Sequence, residues 1–449
     1  MKKFIGREKE LESLMGLLQK KSASLVVIRG RRRIGKSRLA SEFAKRFKKA
    51  LILTGIPPED KVTAEQQRQE FVRQAQALRL PLYRSDDWGN IFDDLAKVTK
   101  KGRMLVVFDE ITWMGSKDPT FMPKLKTAWD LHFKKNDQLV MIITGSNSVW
   151  IEKNILSSTG FYGRVSLRMA LKQLSLQECN AFWKGWPGIV SAYEKFKILS
   201  VTGGIPRYLE ELRPDLSAEG NIQRLCFDAE GLLFHEFNQI FHDLFQNRGP
   251  FYKQIVEVLV DRHLSMSEIA DKLDRSKGGD ISESLGELTE AGFIARDFTW
   301  SLKNRKKSTI SRYRLSDNYL RFYLKYIQPH YEQIEAGKIR KLPPGWHSIM
   351  GFQFENLVVS NGDILQQLLG IPKTRFNCLY LCEVKFSQGK IGMEVIREVE
   401  DKMRALQLPI GFSIRPILIH VNGVDEKVID SGFFARIVDF SEFFSSVAK

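Results

Sequence analysis

Cysteine is scarce in this chain: four residues, at positions 179, 226, 378 and 382 of 449. Four scattered thiols cannot build a disulfide framework. Cys378 and Cys382 fall on an expected strand with no His or Cys pair beside them, so they read as core residues rather than zinc ligands. Long apolar runs are also missing. None reaches the ~18 residues that a membrane-spanning helix needs. The opening MKKFIGREKE carries charge where a secretory leader would place its apolar region. These absences lead us to expect a cytoplasmic protein with no membrane attachment. Internal repeats and low-complexity tracts are absent too. Acidic residues are in deficit, 53 against 69 Lys and Arg, for a net charge of +16. A balance this basic favours a polyanionic partner, and DNA is the one we expect. Hydrophobic residues make up 43% of the chain, enough to bury sizeable cores in about three domains.

The chain does contain GRRRIGKS, from Gly30 to Ser37, which fits G-x-x-x-x-G-K-[ST]. An apolar run, Ser24 to Arg29, precedes it and reads as a buried strand. Arg38 to Ala44 follows it and reads as a helix. Strand, loop and helix are the context that a phosphate-binding loop requires. Gly30 and Gly35 let the backbone fold so that the N–H groups of Arg31, Arg32, Arg33, Ile34, Lys36, Ser37 and Arg38 can surround an anion. Lys36 is expected on the β- and γ-phosphates of ATP, and Ser37 on Mg²⁺.

A second apolar run, Met104 to Phe108, reads as a strand buried on both faces and ends in Asp109-Glu110. Asp109 is expected to hold Mg²⁺ through water, and Glu110 to orient and polarise the attacking water. A third run, Leu139 to Thr144, leads into Gly145-Ser146-Asn147. Ser146 or Asn147 either contacts the terminal phosphate or the attacking water, or belongs to an ordinary turn.

The pattern divides the chain into an α/β nucleotide-binding domain (1–170), a helical lid (171–248), a helical module with a hairpin (249–327), a linker rich in Pro and Gly (328–350) and a last α/β block (351–449). In the third part Ser265 is a good N-cap, a turn is expected at Lys277-Gly278-Gly279, and a second helix runs through Ile281, Leu285 and Leu288. A hairpin follows whose loop holds Lys303, Arg305, Lys306 and Lys307. This is a winged-helix pattern, whose basic wing either contacts DNA phosphates or belongs to a module that packs as a lid over the nucleotide. Its second helix is acidic, with Asp280, Glu283, Glu287 and Glu290, which argues against groove readout.

The segments FIGREKEL, GRRRIGKS, LVVFDE, ITGSN, GRVSLRMALKQLS and GGIPRYL, in this order, resemble the archaeal-type ATPase family, on the AAA+/STAND side of the P-loop proteins. The resemblance covers residues 3–330. It implies an ATPase or a nucleotide-dependent switch. It places Ile5-Gly6-Arg7 near the adenine, Ser146 or Asn147 as a sensor, and Pro206 against the base. It also makes Arg164, or failing that Arg168, an arginine that completes a nucleotide site; acting in trans, it would need a homo-oligomer. The last block resembles the PD-(D/E)xK nuclease-like domain often fused to such ATPases. Glu383 and Lys385 in Cys382-Glu383-Val384-Lys385 match E-x-K, and Glu355 matches the preceding helix. The aspartate expected before that strand is missing from residues 370–377, and Asp363 sits in a turn-like context. The implied module is degenerate. The expected function is a Mg²⁺-dependent ATPase that couples nucleotide state to DNA engagement. The alternatives are a nucleotide-held regulatory switch and an ATP-gated nuclease.

Overall fold

Ser24–Arg29 forms β1, and its four central residues, Leu25 to Ile28, are at most 1% exposed. Apolar side chains on both faces of a strand demand a layer on each side, which is the architecture of a parallel sheet. A computed structural model describes every residue except 1–2, 58–61, 246–247, 277, 303, 305, 372–377, 407, 410 and 446–449. Lys277, Lys303, Arg305 and the acid-free part of 370–377 from residue 372 onward therefore lie outside the described residues. The chain forms two compact units, Met1–Lys172 and Gln173–Lys449.

The first unit holds β1, β2 (Lys49–Thr54), β3 (Met104–Asp109), β4 (Leu139–Gly145) and β5 (Val165–Ala170). They lie in the order β2-β3-β4-β1-β5, and every pair is parallel. β4 is therefore inserted between β1 and β3. Facing one side of the sheet, Phe71, Trp88, Phe92, Phe108 and Phe121 form an aromatic core. Each such ring, fully buried, contributes on the order of 1.5–3 kcal/mol before the entropy of ordering it is counted. The helix Lys36–Ala44 follows β1, burying Leu39, Ala40 and Phe43.

The second unit begins with helices, including Ala192–Thr202, Ala218–Cys226 and Leu232–Phe245. Three more follow, Gly249–Val258, Met266–Lys272 and Gly279–Glu290, and then an antiparallel pair, β6 (Ile294–Ser301) and β7 (Lys306–Leu315). Ser265 caps its helix as expected, accepting from the Glu268 N–H while Glu268 returns to the Ser265 N–H.

Residues 328–350 differ from an open linker. Short helical turns there bury Ile334, Trp346 and Ile349, because the apolar residues between the Pro and Gly breaks have a core to enter. The next helix, Met350–Ser360, is equally integrated. Buried Gln353 donates to the Ser200 and Asn318 carbonyls, and Asn356 donates to the Leu315 carbonyl. Fully buried Arg321 satisfies its guanidinium on the carbonyls of Val260 and Leu315 and on Gln353 Oε1.

The unit ends in a parallel sheet, β8 (Cys378–Val384), β9 (Ser413–His420) and β10 (Arg436–Asp439), with β9 central. Its core includes Val395 and Val399 of the helix Glu394–Ala405. Because β8 is an edge strand with no fully buried residue, Cys378 is half-buried and Cys382 exposed, which corrects the expectation that both are core.

Candidate nucleotide site

Parallel pairing brings the ends of β1, β4 and β3 side by side: Ile28 is opposite Thr144 and Phe108 opposite Ile143. Everything at the carboxyl ends of these strands converges on one crevice, at the place where the strand order departs from chain order.

The loop from Gly30 to Gly35 closes over this crevice. Gly30 has φ +147°, and a Cβ there would lie 2.6 Å from the Leu171 carbonyl oxygen. Gly35 has φ +97° and opens the helix Lys36–Ala44. Only glycine fits both positions without strain. Ile34 is fully buried, which anchors the loop from below. The helix N-terminus at Lys36 offers unsatisfied N–H groups and partial positive charge to an anion.

Lys36 is 5% exposed, and its ammonium donates to the Gly30 carbonyl at 2.9 Å and the Arg31 carbonyl at 3.2 Å. Burial lowers its pKa from the ordinary lysine value, and the nearby carboxylates of Glu110 and Asp109 oppose that shift. Ser37 Oγ donates to Asp109 Oδ1 at 3.0 Å. Glu110 Oε1 stands 3.6 Å from Lys36 Nζ, while its Oε2 accepts from the Ser146 N–H at 2.9 Å and Ser146 Oγ at 3.0 Å. Glu110 takes φ +52°, a left-handed conformation uncommon outside glycine. Such strain costs on the order of 1–3 kcal/mol and persists where the surroundings over-determine it.

One participant escaped the sequence, and another acts differently from the expectation. Thr144 donates its hydroxyl to Asp109 Oδ1, yet as one more β-branched residue in a buried strand it gave no signal. Arg7, also at positive φ and 4% exposed, donates to the carbonyls of Ile34 and Lys172 and pairs with Glu10. The segment expected near the base thus grips the loop itself.

Other expected residues stand elsewhere. Arg164 is held by both oxygens of Asp130, at 2.8 Å each. It precedes Val165, which pairs with Leu25, so it stands at the amino edge of the sheet while Gly30 stands at the carboxyl edge. Five residues of strand separate them, roughly 16 Å, so Arg164 does not reach the loop of its own chain. Arg168 is exposed on the edge strand β5. Pro206 belongs to the second unit, at the first position of the short helix Pro206–Leu209. Glu383 pairs with Lys402, and Lys385 with Glu398, both from the helix Glu394–Ala405. Glu355 lies in the electrostatic neighbourhood of His263 and Arg321. Among the described residues, no group of three or more His, Cys, Asp or Glu is placed to hold a metal, nor is any helix long and apolar enough to cross a membrane.

A phosphate loop after β1, paired acids at the end of β3 and a polar end to the inserted β4 define a P-loop NTPase. Comparison with known proteins agrees. Residues 4–212 match the family described as an ATPase domain predominantly from Archaea. Protein MJECL04 of Methanocaldococcus jannaschii is 26% identical over 367 residues, covering 79% of this chain and 76% of that one. The Walker-type ATPase PABY2304 of Pyrococcus abyssi shares the fold, with a TM-score of 0.53 at 18% identity over 72% of this chain and 96% of that one. The family match supports ATP binding and ATPase activity.

Proposed function

We propose that this protein is a Mg²⁺-dependent ATPase whose nucleotide state is coupled to engagement of DNA. The observation that carries the proposal is the convergence of Lys36, Ser37, Asp109, Glu110, Thr144 and Ser146 on one crevice. The residues suit the ligand. A loop that admits no Cβ at Gly30, a buried ammonium and a hydroxyl–carboxylate pair suit a nucleoside triphosphate with its metal. Mg²⁺ bound with phosphates and water takes few ligands from the protein, and Ser37, with Asp109 acting through water, would hold it. Bound there, the ion would supply positive charge against the charge that builds on the phosphates. Lys36 and the loop N–H groups orient the terminal phosphate. Thr144 fixes the rotamer of Asp109. Glu110 orients the attacking water. Arg164 is assigned to the site of a second copy of the chain, since its own lies out of reach.

The helices Gly249–Val258, Met266–Lys272 and Gly279–Glu290 with the β6–β7 hairpin are read as a winged helix. Together with the net charge of +16, its basic hairpin supports a DNA partner. The C-terminal sheet is read as a degenerate nuclease-like module, because its E-x-K residues are engaged by Lys402 and Glu398.

A nucleotide-held switch with little turnover has its own support: the Glu110 carboxylate is already engaged, by the two Ser146 donors at one oxygen and by Lys36 at the other. The deciding experiment is ATP hydrolysis with Mg²⁺, with and without DNA, beside Glu110→Gln. Turnover that rises with DNA and is lost in the variant, with ATP binding retained, is the expected result. Tight binding without turnover selects the switch. Equal turnover by wild type and Glu110→Gln rejects the role given to Glu110.

A further inference from the structure

We infer that the β6–β7 hairpin is a stacking platform for unpaired bases, so that the nucleic acid this protein grips is single-stranded or locally opened. The inference rests on the DNA reading above and narrows its substrate class.

The hairpin is unusual in what it exposes. Trp300 is 57% exposed and Phe298 is 38% exposed, on a two-stranded sheet whose register pairs Trp300 with Lys307 and Phe298 with Ser311. The guanidinium of Arg296 lies 4.7 Å from the Phe298 ring centre, and the Lys307 ammonium lies 4.6 Å from it. Two cations thus already serve Phe298, whereas Trp300 meets no other ring among the described residues. Between Ile294 and Leu315 the sequence carries seven Lys and Arg against one acid, Asp297. Arg314 is paired with Asp297, and Arg312 approaches Glu268. Arg296, Lys306 and Lys307 have no carboxylate within ion-pair distance among the described residues.

An exposed indole bordered by cations suits a chain of phosphates whose bases have faces to offer. Stacking on aromatics, flanked by basic residues that follow the backbone, is how single strands are held without sequence readout. A closed duplex hides those faces. The element that would enter a duplex groove is unsuitable here. The helix Gly279–Glu290 carries four acids and no base, and Arg248 is bound by its Asp280, Glu283 and Glu287. Phosphates are therefore repelled from the helix and drawn to the hairpin, where the exposed ring is.

The test measures binding of a labelled oligothymidylate and of a blunt duplex of equal length, at one salt concentration. Wild type, Trp300→Ala, Trp300→Phe and the double variant Lys306→Ala/Lys307→Ala are compared. Trp300 is exposed, so these substitutions leave the core intact. The expected result is tighter binding of the single strand, a roughly tenfold loss of that affinity in Trp300→Ala with duplex binding unchanged, and recovery in Trp300→Phe. The lysine variant weakens both ligands. Equal affinity of Trp300→Ala and wild type for the single strand overturns the stacking inference while leaving DNA binding standing. Failure of wild type to bind either ligand, with ATP binding intact, overturns both.

Discussion

Thr144 settles how the metal-side carboxylate is presented, because its hydroxyl and that of Ser37 both donate to the same oxygen of Asp109. Thr144→Val keeps the shape of the strand and removes one donor from a carboxylate that is 7% exposed. A hydrogen bond to a charged group is worth about 1.5–3 kcal/mol. The Mg²⁺ concentration for half-maximal ATP turnover should therefore rise roughly tenfold in Thr144→Val, and Thr144→Ser should restore it. An unchanged Mg²⁺ titration would remove Thr144 from the site. Gly30 makes the opposite kind of test. In Gly30→Ala the new Cβ meets a backbone carbonyl at 2.6 Å, with φ at +147°, so neither neighbour can yield cheaply. We expect a loss of at least about 1–3 kcal/mol in stability, visible as a lower Tm, together with loss of ATP binding. A variant with wild-type Tm would show that the loop has more room than this geometry allows. These two residues also mark what could be read from sequence. Gly30, Gly35, Lys36 and Ser37 were legible because their spacing is itself the phosphate cradle. Thr144 was not, because a threonine ending a buried strand is an ordinary β-former until the register sets it beside Asp109.

At the scale of elements, the strands β1, β3 and β4 were legible from continuous apolar runs, while their order across the sheet was not. Order decides where a strand-borne side chain can act. Arg164 at the start of β5 faces the amino edge, and Asp130 of the helix Phe121–Leu131 claims it. The same lesson applies to E-x-K. Glu383 near the end of β8 and Lys385 just past it are two residues apart, and the helix Glu394–Ala405 supplies Lys402 and Glu398 to engage them. The Asp130–Arg164 pair gives a pH prediction. Hydrogen bonding from Arg164, then from Lys126, holds the Asp130 carboxyl far below the usual aspartate range. Since the folded-state pKa is depressed, the pair's contribution is present above the unfolded value of about 3.9 and is lost as pH falls through the folded one. The stability difference between wild type and Asp130→Asn, from urea unfolding, should thus be largest near neutrality and shrink on acidification below about pH 4. A difference that stays constant across that window would mean the carboxylate's charge is not what the pair contributes.

At the scale of the whole molecule, the two compact units divide the work. The first contains the phosphate loop and both acids, and the second contains the basic hairpin and the C-terminal sheet. A ligand that binds only folded protein stabilises what it binds. At 100 times its dissociation constant, Mg-ATP should add about 2.7 kcal/mol. For a unit the size of Met1–Lys172, that corresponds to a rise of roughly 5–10 °C in Tm. Each unit has its own core, so calorimetry has two transitions to follow and a single global ΔG is the wrong description. We expect the first unit's transition to rise with Mg-ATP and not to move in Lys36→Ala, since that variant removes the buried ammonium from the phosphates. Should wild type show no shift at saturating Mg-ATP, the nucleotide reading falls whatever the motif says. A shift confined to the first unit means the nucleotide is sensed locally. A shift in both means that ATP binding also stabilises the unit carrying the hairpin, which is the coupling that a nucleotide-controlled grip on DNA requires.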